Sequence, residues 1–293
     1  MRGRPKSGQP EPELRFTPKR HKITLNRMLL PLTLRKPHQP KEKNETGQPT
    51  APTLAAEDIL NLMPSSIPQR RRETIASFVS RTAAAFHVDA ATFASDKEAS
   101  FQALIAGASK AVDVLKDFNC HIPSDVVEWS PSSDGVTGRQ RLFRGHIFPS
   151  KVLQGSEMRG CPECLRRDLE DHADPKTSMA MRGNWLVPHV TLCLEHHHPI
   201  VPLWKESKPL LRFDSARHLA SLTPDIMAGK LTRESREPTG FETWLDDRLE
   251  SHNGGTWLDQ FHLHAACNYC LMLGTTLLRH FTSAPSAVPD EEK

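Results

Sequence analysis

Cys161-Pro162-Glu163-Cys164 and, after 28 intervening residues, Cys193-Leu194-Glu195-His196 are the stretches of this sequence best suited to chemistry. Two sulfurs three residues apart on a tight turn face the same ion, because a knuckle turn directs its first and last side chains to one side. A second pair of the same spacing completes a tetrahedral Cys₃His shell. Such a shell suits Zn²⁺ and leaves no open position for a substrate, so the ion would be structural. In a reducing compartment the cysteines stay free for metal rather than forming bridges.

His197 and His198 follow His196 directly, but only His196 meets the Cys-x-x-His spacing. The histidine run also raises an enzyme reading, a His-metal nuclease. That reading needs a general-base His held by an Asn and a second metal-binding His beyond it, and no residues at suitable spacing supply them. A later Cys267-Asn268-Tyr269-Cys270 repeats the Cys-x-x-Cys spacing. It sits in an apolar run without turn residues, which predicts a helix with its cysteines packed as small hydrophobes. Cys120 stands alone and is expected to be structural. Basic side chains cluster at Arg70, Arg71 and Arg72, and again over residues 139–144.

These groups need a scaffold, and the apolar periodicity predicts a helical one. Ile75, Phe78, Val79, Ala83 and Phe86 recur at helical spacing over residues 73–86. His87-Val88 then interrupts, and Asp89 is placed to cap a second short helix. Two helices joined by a tight turn fit a helix-turn-helix, and equally any small helical bundle. Phe101, Leu104, Ile105, Ala108, Val112 and Leu115 predict a third helix, and the stretch around Leu142, Ile147 and Phe148 a hairpin. After the first knuckle, residues 165–169 predict one short helical turn. Trp185-Leu186-Val187 and Val190-Thr191-Leu192 read as strand running into the second knuckle. Further on, Phe241, Trp244, Leu245 and Leu249 form a helical stripe, Asn253-Gly254-Gly255 ends it, and Trp257, Leu258 and Phe261 begin the next.

The string Arg159-Gly160-Cys161-Pro162-Glu163-Cys164-Leu165 closely resembles the TniQ family. So do Arg182, Trp185 and the run from His189 through Cys193 to His196, with the helix around Glu73, Phe78 and Arg81 upstream. The likeness covers about residues 58–205, in the right order; Leu194 departs from the proline usual after the third ligand cysteine. The resemblance implies a fold of helix-turn-helix units with zinc-ribbon modules, and Cys161, Cys164, Cys193 and His196 as Zn²⁺ ligands. It implies a non-enzymatic protein of transposon target-site selection. Its partners would be DNA and a transposition AAA+ ATPase or guide complex, with Arg70, Arg71, Arg72 and Arg81 as candidate DNA contacts. The alternative is a pure protein-interaction adaptor without direct DNA contact. A homodimer is a further expectation.

The expected architecture is therefore mainly α with a small zinc ribbon. A disordered basic tail (1–57) precedes a TniQ-like domain (58–205). That domain divides into a helical unit (58–128), short strands (130–150) and the ribbon (155–205). A helical C-terminal unit (206–283) and a disordered tail (284–293) follow. Charge supports the first boundary: residues 1–50 hold twelve Lys/Arg against four Asp/Glu, and eight of the 24 prolines. Such a segment buries too little apolar surface to offset its ordering entropy. A start at Met28 is also compatible with it. The remainder is net acidic by five charges. No apolar run reaches the roughly 20 residues of a membrane span, and the run from Met28 to Leu34 is too short and proline-broken for a signal peptide. A cytoplasmic protein is expected.

Overall fold

The computed structural model describes residues 67–117, 122–171 and 174–282. The expected tails, Cys120 and the start codon question at Met28 lie outside the described residues. What is described is mainly helical.

Thr74 opens α1 (Ile75–Ala85) by accepting the Ser77 amide, as an N-cap residue should. Nearly every side chain from Ile75 to Arg81 is buried, so α1 is the central helix of the fold. His87 turns the chain in the left-handed region (φ 59°), and Asp89 caps α2 (Ala90–Asp96) through the Ala91 and Thr92 amides. The expected third helix is broken in two, α3 (Phe101–Ala106) and α4 (Ser109–Asp117). The reason is Gly107. It adopts φ 75°, and a Cβ there would stand 1.8 Å from the Pro131 carbonyl oxygen, so the backbone of the next segment occupies the space of a side chain. A short α5 (Ser124–Glu128) follows.

β1 (Gln140–Phe143) and β2 (His146–Pro149) form the anticipated hairpin, with Leu142 opposite Ile147. Its two turn residues, Arg144 (φ 47°) and Gly145 (φ 72°), both have positive φ, the turn that matches strand twist. After α6 (Ser150–Leu153) come β3 (Glu157–Gly160), α7 (Pro162–Asp171) and α8 (Pro175–Ser178). The two-residue strands β4 (Leu192–Cys193) and β5 (His198–Pro199) then pair across the second knuckle. The next strand, β6 (Val201–Lys205), returns to pair antiparallel with β3. Two expectations are corrected here. The first knuckle leads into a ten-residue helix rather than one turn, and Trp185 lies in a 3₁₀ turn (Gly183–Leu186) rather than in a strand. The chain ends its described part with α9 (Pro209–Phe213), α10 (Ser215–Met227), α11 (Gly240–Ser251) and α12 (Leu263–Thr282).

Two apolar cores result. The first gathers Ile75, Phe78, Val79, Leu104 and Leu115 with Leu165, Trp185, Phe213, Leu219 and Ile226. The second gathers Trp129, Phe143, Phe148 and Val187 with Trp244, Leu245, Leu249, Leu263 and Cys267. Residues just beyond 206 thus pack into the first core, on α1, while α11 and α12 pack on the hairpin.

Candidate metal centre and its arginine frame

Cys161 ends the approach from β3, and Cys164 lies on the first turn of α7. Cys193 closes β4, and His196 lies in the turn between β4 and β5. Their four ligand atoms all lie within 4.8 Å of one another, with the three cysteines buried. His196 presents Nδ1, at 3.8 Å from Cys161 Sγ, 3.2 Å from Cys164 Sγ and 3.5 Å from Cys193 Sγ. The Cys164 and Cys193 sulfurs are 3.6 Å apart. A tetrahedral zinc site with ordinary bond lengths has S–S edges of about 3.8 Å and S–N edges of about 3.5 Å. The donor set and its spacing therefore fit a metal ion.

Without a cation this packing is costly for the thiols. Cys164 is pushed well above its ordinary range by its contacts with Cys161 and Cys193 and by burial. Cys161 is drawn down by Cys164, but the contact with Cys193 and burial outweigh that and push it up to about 12. Cys193 moves the opposite way, because Cys161, Cys164 and His196 all stabilise its thiolate. A bound divalent cation supplies the charge that lets all three ionise.

The neighbouring histidines have other duties. His198 is buried; its Nδ1 donates to the Pro199 carbonyl at 2.6 Å, and its Nε2 accepts the Arg233 amide at 2.7 Å. His197 turns away with φ 49° towards Glu237, 3.6 Å distant.

The arginines around the centre form a frame. Arg182 makes a bidentate pair with Asp168 on α7 (2.6 and 2.7 Å) and stacks over Trp185. Arg167 pairs with Glu195 across the two knuckles. Backbone bonds join the segment before α1 to this unit, with Thr74 N–H on the Met181 carbonyl (3.1 Å) and Gly183 N–H on the Arg72 carbonyl (2.7 Å). Glu73 completes the junction. It is fully buried and receives Arg81 at 2.6 Å, the Ser77 hydroxyl at 3.0 Å and the Arg70 amide at 3.0 Å.

The four arginines expected at DNA divide sharply. Arg81 is fully buried against Glu73 and the carbonyls of Thr177 and Pro68, so it has no surface for a phosphate. Arg72, in the left-handed region (φ 57°), is buried between Asp246 (2.6 Å) and Glu250 (2.6 Å) of α11, over the Trp129 ring. Arg70 donates to the Asp168 carbonyl at 3.1 Å and the Ser178 carbonyl at 3.3 Å. Arg71 alone is exposed. It stands at the tip of the 70–73 turn, on the rim of a cleft of about 220 Å³ lined also by Arg167, Asn184, Glu195 and Asp246. In the second basic stretch, Arg144 is also occupied, by Glu128 and the carbonyls of Leu249 and Glu250.

Sequence spacing thus picked out the four residues that cluster here, and gave no sign of the parts played by Glu73 and Asp168. Single carboxylates carry no spacing signal; their partners come from other elements. Cys267 is fully buried in α12, away from the metal centre, as its apolar setting predicts.

A mainly helical protein with a buried Cys₃His cluster, clamped by arginine–carboxylate pairs, is the class these features define. Residues 64–200 match the TniQ family, and the match spans both knuckles, α1 and the frame between them. The chain carries a TniQ domain. No curated protein and no solved structure matches it.

Proposed function

We propose that the chain is a non-enzymatic, zinc-holding adaptor of transposon target-site selection that touches DNA and recruits a transposition ATPase or guide complex. The observation that carries this is the closed centre inside a TniQ domain. Three buried sulfurs and one imidazole use up a tetrahedral shell, so Zn²⁺ would hold β3, α7 and the β4–β5 turn together and do no chemistry. Function then falls to surfaces. The surface best suited to a phosphate is the rim around Arg71, an exposed guanidinium that makes no hydrogen bond or ion pair among the described residues. A DNA contact there orients the protein without reading sequence.

The second reading is an adaptor without DNA contact. It draws support from the internal use of Arg70, Arg72 and Arg81 and from the net acidic body. Duplex binding measured across a salt series separates the two. The DNA reading expects a steep slope, and Arg71→Ala expects weaker binding on every sequence, with the slope reduced by about 0.9 for one lost phosphate contact. No duplex binding at low salt establishes the second reading instead.

A further inference from the structure

Among the described residues β3 pairs with β6 alone, so it keeps one open edge. Ser156 accepts the Glu206 amide, and Met158 stands opposite Trp204. Residues bonded to a partner strand alternate along an antiparallel ladder, so the N–H and C=O of Glu157, between these two, point away from β6. No described group bonds to them.

Beside this edge lies a cleft of about 180 Å³, lined by Val152 and Leu153 of α6, Met158 of β3, and Trp185, Leu186 and Pro188. Sites for drug-sized ligands run to ~300–1,000 Å³. This cleft suits one bulky apolar side chain.

Arg159 lines the same cleft and carries a charge that the protein leaves unmatched. Its guanidinium donates to the carbonyls of Val187 (2.9 Å), Trp185 (3.3 Å) and Pro188 (3.4 Å), and it makes no ion pair among the described residues. Arg72, Arg81, Arg144, Arg182 and Arg248, by contrast, each hold a carboxylate within 3.1 Å. Burial keeps the Arg159 pKa below its ordinary value, although Glu157 pulls the other way. A half-buried cation served only by carbonyls still attracts an anion.

We propose that the open edge of β3 docks an extended segment of a partner protein, with a bulky apolar side chain of that segment in the cleft and a neighbouring carboxylate on Arg159. The alternation of β3 sets this pattern. Met158 is buried, whereas Glu157 and Arg159 are on the outer face, and adjacent residues of an added strand divide between the same two faces. The free N–H and C=O of Glu157 supply the two main-chain bonds that hold such a strand. A nucleic-acid backbone would use Arg159 and leave the apolar cleft empty, which favours a peptide. The inference rests on the adaptor reading and names the chemistry of the partner which that reading calls for.

Fluorescence anisotropy of a labelled, end-blocked peptide, Gly-Ser-Asp-Leu-Asp-Ser-Gly, against the full chain tests it. The wild type is expected to bind with a Kd on the order of 100 µM, suited to one buried side chain and one ion pair. Serine in place of the peptide's leucine should weaken binding at least about tenfold. Asparagine in place of both aspartates should weaken it about threefold to fivefold. Arg159→Gln should abolish that preference for aspartate, whereas a merely loosened fold weakens both peptides alike. The peptide series on the wild type decides the matter even where the variant folds poorly. Zinc content and duplex affinity of the wild type test the adaptor reading without this cleft, so the two can fail separately. No saturable binding up to about 1 mM overturns the proposal. So does equal binding of the aspartate and asparagine peptides, or an aspartate preference that survives Arg159→Gln. An Arg159→Gln variant that loses salt-dependent duplex binding and keeps its peptide binding makes the site a phosphate contact instead, and also overturns it.

Discussion

The Cys₃His centre and α12 treat their side chains in opposite ways. Around the centre the apolar core is threaded by matched charge: Glu73, Arg81, Asp168 and Arg182 are all buried, and each has its charge matched within hydrogen-bond distance. A metal held by the Cys₃His cluster would add a cross-link to these contacts. In α12 the situation is reversed. Apolar side chains are abundant beyond Cys270, and the chain has no described surface to lay them on. Charge pairs and a metal make a region self-sufficient, because each charge names its own partner. An apolar stripe names only a shape, and its partner can lie in another molecule.

The largest expected effect breaks the first region at its cross-link. Cys161→Ser or Cys193→Ser should release the metal and unfold the unit around β3, α7 and the β4–β5 turn, seen as loss of bound zinc and of the cooperative thermal transition. Cys267→Ser should keep the metal, since that thiol lies in the other core; burying a hydroxyl there costs about 1–3 kcal/mol. Loss of one metal equivalent from Cys267→Ser would overturn the helical reading of the second Cys-x-x-Cys.

Next in size is the buried pair. Glu73→Gln strands Arg81 and loosens the Ser77 and Arg70 contacts, so denaturant unfolding should show a loss of about 3–5 kcal/mol. Arg71→Ala, two residues away in the same turn, should change stability by less than about 0.5 kcal/mol. The contrast between neighbours sharpens the distinction between frame and surface. Replacing all three arginines together would merge the two effects.

A smaller effect comes from His146, which joins the hairpin to α11 and α12. Burial lowers its pKa to about 4, helped by Arg248 and by His252 and His262, whose rings lie 6.1 and 6.4 Å away. The folded state therefore resists protonation more than the unfolded chain, where histidine titrates at about 6.5. The stability contributed is complete above that value and declines as pH falls towards 4. The loss reaches about 1.4 kcal/mol at pH 5.5. His146→Phe should flatten the stability difference between pH 7.5 and 5.5; a variant with the wild-type pH profile would show that His146 is not the group.

Much of this arrangement was legible in the residues. Spacing located the four cluster residues, Asp89 announced its cap, and the hairpin and α11 followed their apolar patterns. What spacing could not carry was the tertiary use of single residues. Gly107 breaks a helix because Pro131 comes from 24 residues away to occupy its side-chain space. Arg81 and Arg72 look like any basic surface until the fold brings Glu73 and Asp246 to them. The leucines of α12 read as core by composition, and their exposure depends on where the hairpin ends.

Metal analysis of the purified chain, paired with the same measurement on Cys161→Ser, tests the central claim most directly. One zinc per chain in the wild type, lost together with the thermal transition in the variant, is the predicted result. A wild type that folds cooperatively with no bound metal would contradict it.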